Sequence, residues 1–249
     1  MNRIPETNDL IARLTNASPP LLQRRHFSEQ ELEGMPTAQL KHFQLYPDKP
    51  EPVDIDLLAD EISQKVDFCE LADDILGATE FRYGEKTNIL LNEKIFRDET
   101  PETQGRNRFV IAHECGHIIM QDALFQTACK ACLQRRNQAK THLLSYTFFK
   151  NYSNYVWYEW QANTAGALLL MPPEYVHVII QNTLQQERYD EESRSSMHCG
   201  LVLYSMYSQI RDTFNVSYTA ACITCERYLK KFGQKYANLL TAIGINRNH

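Results

Sequence analysis

No stretch of this 249-residue chain is apolar for long enough to span a bilayer, which takes about 20 residues in a helix. A basic segment followed by an apolar one is also missing at the N-terminus. The chain is therefore expected to carry no secretory leader and to stay in the cytoplasm. Positive charge is not in excess: 26 Lys and Arg stand against 31 Asp and Glu, a formal net charge of -5. Phosphate backbones call for a basic surface, so this balance argues against nucleic acid as the main ligand. A disulfide framework is not indicated either, because seven cysteines are an odd number and no leader accompanies them; reduced thiols are expected. Internal repeats and low-complexity tracts are absent. What remains is a composition with 43% hydrophobic residues, enough for a real core in one domain, or in one domain with an appendage.

The most informative positive feature is His113-Glu114-Cys115-Gly116-His117, set within the apolar run from Phe109 to Met120. The flanks read as helix. Residues four apart on a helix share a face, so His113 and His117 can hold one zinc ion between two imidazoles. Glu114 lies about 100° further round, where its carboxylate can act as a general base toward water at the metal. A Lewis acid beside a general base is the minimum for hydrolysing a peptide bond. Two histidines and a glutamate within an apolar run need partners, and a metal is the economical partner for two imidazoles. Gly116 has no side chain, so another backbone can approach there.

A catalytic zinc takes three protein ligands and keeps one position open. The best third ligand is Glu159, in Glu159-Trp160-Gln161-Ala162-Asn163, which opens a segment rich in Ala and Leu that stops at Pro172-Pro173. This reads as a buried helix. Ala162, Ala165 and Gly166 would let it pack closely on the first. Asn163 shares a face with Glu159 and can offer its amide oxygen to the free ring nitrogen of a ligating histidine, which fixes that ring's orientation.

These residues carry a resemblance. Arg106 to His117 is similar to the R-x-R-F-x-x-A-H-E-x-G-H segment of the ImmA/IrrE family of metallopeptidases. Glu159-Trp160-Gln161-Ala162-Asn163, followed by Leu168-Leu169-Leu170-Met171-Pro172, is similar to that family's E-x-x-A-N and L-L-M-P segments. Weaker similarity extends the resemblance over residues 51 to 232. It implies an intracellular zinc endopeptidase that cleaves a DNA-binding repressor or other regulatory protein. It implies His113, His117 and Glu159 as ligands of one catalytic zinc, and Glu114 as the acid/base. Cys115 stands where the family commonly has an aliphatic residue, and a long insertion separates the two motifs.

Along the chain, residues 1–50 read as a helical appendage and linker, and 51–249 as the peptidase-like domain. Leu10, Ile11 and Leu14 hint at one short helix, Pro19-Pro20 follows, and Ser28 to Glu31 has the pattern of a capping box. A helix is expected from Asp54 to about Lys65. Strands are expected at 66–70, 78–83 and 88–93, with a hairpin at 82–87. The helix bearing His113 is expected to begin near Thr103 or Gln104. The resulting fold class is α+β: a small antiparallel sheet on a helix-rich, zincin-like body.

Residues 121–156 are the least legible. Cys129 and Cys132 have the spacing of half a structural zinc site, and Cys222 and Cys225 could supply the other half; packing cysteines are the favoured reading. Tyr146, Phe148, Phe149, Tyr152 and Tyr155 could line a substrate cleft or belong to the core. Residues 209–221 read as helix, turn, helix with Ser217 as N-cap. The layout resembles a DNA-binding motif, but the second helix has no Arg or Lys in its first turns, and packing is favoured. Tyr83, His142, His177 and His198 are available as oxyanion donors, and the sequence assigns none of them. Two alternatives stay open beside the specific protease: a non-catalytic zinc-containing regulator, which would need a fourth protein ligand, and a broad-specificity peptidase.

Overall fold

Ser28 opens the first helix among the described residues of the computed structural model, which are 27–82, 84–97, 100–136, 142–144, 155–189 and 196–244. Helix α1 (Glu29–His42) has the capping box that its sequence indicates. The Ser28 hydroxyl accepts from Glu31 N–H, and the Glu31 carboxylate accepts from Ser28 N–H at 2.8 Å. Phe27 before the cap and Leu32 in the first turn form a staple that packs with Met120 and Ala165. Helix α2 (Ile55–Ile62) is capped by Asp54, which accepts from Leu57 N–H, and it buries Ile55, Leu58 and Ala59.

Strands β1 (Lys65–Cys69), β2 (Gly77–Arg82), β3 (Asn88–Asn92) and β4 (His142–Leu144) form one sheet in the order β1-β3-β2-β4. β2 pairs antiparallel with both β3 and β4, whereas β1 runs parallel to β3. The α+β class stands, but the expectation of a wholly antiparallel sheet is corrected at this edge. The chain reverses direction twice between β1 and β3, so seating β3 beside β1 makes that pair parallel. β3 takes the inner place because Ile89 and Leu91 are buried and the flanking Asn88 and Asn92 are buried too. Asn92 ties down the preceding loop: its amide donates to Ala72 and Ile75 carbonyls, and its backbone N–H donates to Leu76 O.

A short helix α3 (Glu93–Phe96) leads to α4 (Pro101–Arg136). α4 starts a little earlier than expected. Thr100 and Thr103 cap it reciprocally, each hydroxyl accepting from the other's backbone N–H, and Pro101 sits where a missing N–H costs nothing. Helix α5 (Tyr155–Leu170) stops before Pro172, and α6 (Pro173–Gln186) follows at once. Helices α7 (Ser196–Phe214), α8 (Tyr218–Lys231) and α9 (Ala237–Ala242) complete the order, with a 3-10 turn at Gly233–Tyr236. Between α7 and α8 the turn is made by Asn215 at φ 50°, a left-handed conformation that Asn tolerates. Val216 N–H then closes back on Arg211 O, and Ser217 caps α8 as expected.

The described residues divide into two compact units. The first is drawn from Met1–Leu45, Asp54–Glu99 and Asn107–Leu169, and holds the sheet and most of the two motif helices. The second is drawn from Tyr46–Val53, Thr100–Arg106 and Leu170–His249, and is helical. Among the described residues no helix is long and apolar enough to cross a membrane. The helix expected around Leu10, the residue Tyr83 and the side chains of Cys129, Cys132, His142, Tyr146, Phe148, Phe149, Tyr152 and Tyr155 lie outside the described residues.

Candidate metal centre and catalytic cleft

Close contact between α4 and α5 begins with two glycines. A Cβ on Gly116 would lie 2.5 Å from Ala162 O, and one on Gly166 would lie 3.0 Å from His113 N. Each helix thus touches the other's backbone where it has no side chain, and both sequence motifs are brought onto one line of contact. Ala162 and Ala165 are fully buried along it. This approach brings the side chains at 113, 117 and 159 together.

The Nε2 atoms of His113 and His117 stand 3.0 Å apart. Glu159 sets one carboxylate oxygen 3.2 Å from His113 Nε2 and the other 3.4 Å from His117 Nε2. Tetrahedral donors at zinc–nitrogen lengths of about 2.0–2.1 Å are separated from one another by about 3.3 Å, which is the spacing found. The ring atoms facing away are already satisfied. His113 Nδ1 meets Asn163 Oδ1 at 3.0 Å, and His117 Nδ1 meets Gln121 Oε1 at 2.5 Å. Amide oxygens only accept, so each Nδ1 carries a proton, and each ring in its neutral form turns an Nε2 lone pair inward. Two lone pairs and a carboxylate facing one another repel unless a cation lies between them, and these donor types suit zinc. Among the described residues this is the group of three or more His, Cys, Asp or Glu side chains that could hold a metal ion.

The proton affinities of the two rings are shifted in opposite directions. Burial pulls the His113 imidazole down, but the Glu159 hydrogen bond, the Glu114 and Glu159 charges and Asn163 outweigh it and leave the group raised. Burial, helped by the neighbouring His113, holds His117 below the usual histidine range.

Glu114 is nearly fully buried, and its carboxylate accepts a 2.6 Å hydrogen bond from the Thr79 hydroxyl on β2. Thr79 also reaches Glu114 O at 3.3 Å. The sheet thereby sets the rotamer of the carboxylate next to the two histidines. A cavity of about 260 Å³ opens here, lined by His113, Glu114, His117, Glu159 and Asn163 on the helices and by Asp74–Ala78, Phe109 and Val110. Its apolar wall comes from Ile75, Leu76, Phe109 and Val110, and the loop at Ile75–Leu76 is the one Asn92 holds.

All five residues singled out in the sequence meet at this cavity. Two polar residues that hydrogen-bond to this group from outside the cavity lining were not anticipated. Gln121 lies one turn beyond His117, so its spacing on the helix was a usable signal. Thr79 comes from a strand 35 residues upstream of Glu114, and no spacing rule connects them. Cys115 is fully buried, and so is Cys225, which contacts Met206 and whose thiol is pushed up by burial. His177 meets the Tyr228 hydroxyl in the second unit, and His198 lies against the Tyr189 ring there.

An H-E-x-x-H helix packed on a second helix that supplies a third donor, with a buried carboxylate at the cavity wall, defines the class: a metallopeptidase. The chain belongs to the peptidase family described as the IrrE N-terminal-like domain, whose profile matches residues 77–226. This is the family to which the two sequence motifs pointed. No curated protein matches the chain significantly.

Proposed function

We propose that the protein is a cytoplasmic zinc endopeptidase that cuts a repressor or another regulatory protein at a specific site. The observation that carries this reading is the convergence of His113, His117 and Glu159 at ligand spacing, beside a glutamate held by a separate hydrogen bond. His113, His117 and Glu159 would hold the ion, with Asn163 orienting the His113 ring. A zinc ion bound there supplies Lewis acidity, acidifying water to near neutrality and polarising a carbonyl.

The chain's own residues do the rest. Glu114 takes the proton from the attacking water and passes it to the leaving amine, one carboxylate serving as base and then acid. Thr79 keeps that carboxylate at the cavity wall through both transfers. The loop at Ile75–Leu76 with Phe109 and Val110 offers apolar surface to side chains flanking the scissile bond. Three protein ligands leave room for a reacting group, which favours an enzyme over a regulator with a closed structural site; among the described residues no fourth His, Cys, Asp or Glu joins the group.

Incubation with a purified DNA-binding repressor, taken from beside the gene where one is encoded there, followed by gel and mass spectrometry, tests the reading, with casein as the comparison substrate. The expected result is two fragments from one cut in the repressor, casein left intact, and no cutting by E114Q. Extensive casein digestion would establish the broad peptidase instead. Cleavage by E114Q at the wild-type rate would overturn the catalytic assignment.

A further inference from the structure

We propose that Gln121 is a positioning residue that fixes the tautomer of His117 and, through the same amide, registers the helix bearing Glu159. The inference rests on the zinc-site reading above and deepens it. Gln121 is fully buried on the same face of α4 as His117, one turn on. Its Oε1 accepts from His117 Nδ1 at 2.5 Å, and its Nε2 donates to Tyr158 O at 3.1 Å and toward Gln161 Oε1 at 3.4 Å. Tyr158 and Gln161 belong to α5, and Tyr158 immediately precedes Glu159.

The direction of this amide is not free. The Tyr158 carbonyl can only accept, so the NH₂ group of Gln121 must face α5 and its oxygen must face the ring. If the amide were turned round, an N–H would point at His117 Nδ1. The ring would then have to accept there and carry its proton on Nε2, the atom aimed at the other two donors. A neutral imidazole has a single N–H, so the orientation of one amide decides whether His117 offers a lone pair to the metal position. The same amide sets the height of α5 relative to α4 at the residue before the third ligand. Asn163 orients the other ring from an exposed position at the cavity, where water can replace it. No water substitutes at a fully buried site without a new cavity, so His117 depends more on its amide than His113 does.

Two substitutions separate the two tasks. Q121M keeps the volume and removes both hydrogen bonds. Q121E keeps an acceptor for Nδ1–H and removes the donor to Tyr158. Zinc affinity is read by competition with a chromophoric chelator, and the His117 tautomer by ¹⁵N side-chain NMR of the zinc-loaded protein. Losing an outer partner of a metal ligand weakens binding about 10- to 100-fold. The expected result for Q121M is a loss of that size, together with loss of the protected Nδ1–H signal. N163A should weaken zinc less than Q121M. Q121E should keep the Nδ1–H signal and bind zinc within a few-fold of wild type, with a lowered melting temperature. Wild-type affinity and an intact Nδ1–H signal in Q121M would overturn the inference, as would loss of affinity in Q121E equal to that in Q121M. If Q121M does not fold, the ¹⁵N spectrum of the zinc-loaded wild type decides: an exchange-protected proton on His117 Nδ1 supports the role, and a proton on Nε2 or a freely exchanging Nδ1–H refutes it. A wild-type protein that binds no zinc would instead refute the reading on which this one rests.

Discussion

At the residue scale the work divides between groups that hold an ion and a group that moves a proton, and single substitutions separate them. E114Q should keep a full equivalent of zinc and lose at least 10²-fold in kcat, the lower end of what a positioned acid/base contributes. Metal analysis with a cleavage assay reads both. Thr79 bears on the second task alone. Its hydrogen bond goes to a buried carboxylate, and such bonds contribute about 1.5–3 kcal/mol. T79V should therefore lower kcat about 10- to 100-fold while zinc content stays at wild type, and T79S should restore most of the rate because it restores the hydroxyl. Equal loss in T79V and T79S would point to packing of the Thr79 methyl rather than to its hydrogen bond. The half-zinc-site spacing among the cysteines is a different case. Cys225 is fully buried against Met206, so C222S/C225A should leave zinc stoichiometry unchanged, as measured on the purified double variant.

At the element scale the centre exists because two helices meet backbone to backbone. Exchanging glycine for alanine inside a helix would by propensity stabilise it by up to about 1 kcal/mol. At Gly116 the new Cβ would lie 2.5 Å from Ala162 O, and overpacking costs about 1–3 kcal/mol. The steric effect wins, so G116A should lower the melting temperature and weaken zinc binding together; a melting temperature above wild type would contradict the packing described. Both motif helices were legible because their signals are local: i,i+4 spacing at His113 and His117, an Ala- and Leu-rich run after Glu159, and prolines beyond its end. Ser28 and Ser217 were legible as caps for the same reason. The parallel pairing of β1 with β3 was not, since strand order depends on contacts between segments far apart in sequence, and each strand reads the same in either arrangement. β4 escaped notice because three residues carry too little alternation to register. Thr79 could be placed beside Glu114 only once the sheet was docked under α4.

At the scale of the whole molecule, family membership and the converging donors agree on a peptidase. The α7–α8 pair has the layout of a helix-turn-helix, yet α8 bears its lysines only in the last turn, at Lys230 and Lys231, and the chain is net negative. A gel shift with random duplex DNA at low salt should show no complex; a salt-sensitive complex would reopen the question. Metal should also stabilise the fold, because the ligands come from two helices that must be packed for the donors to meet. At free zinc about 100-fold above the dissociation constant, linkage gives about 2.7 kcal/mol. Chelation should therefore lower the melting temperature of the wild type and leave that of H113A unchanged. The most direct test of the central claim is the zinc content of purified wild type and E159A, measured by elemental mass spectrometry after exhaustive dialysis. The expected result is one equivalent in the wild type and near none in E159A, with the variant still folded; a full equivalent retained in E159A would contradict zinc ligation by Glu159.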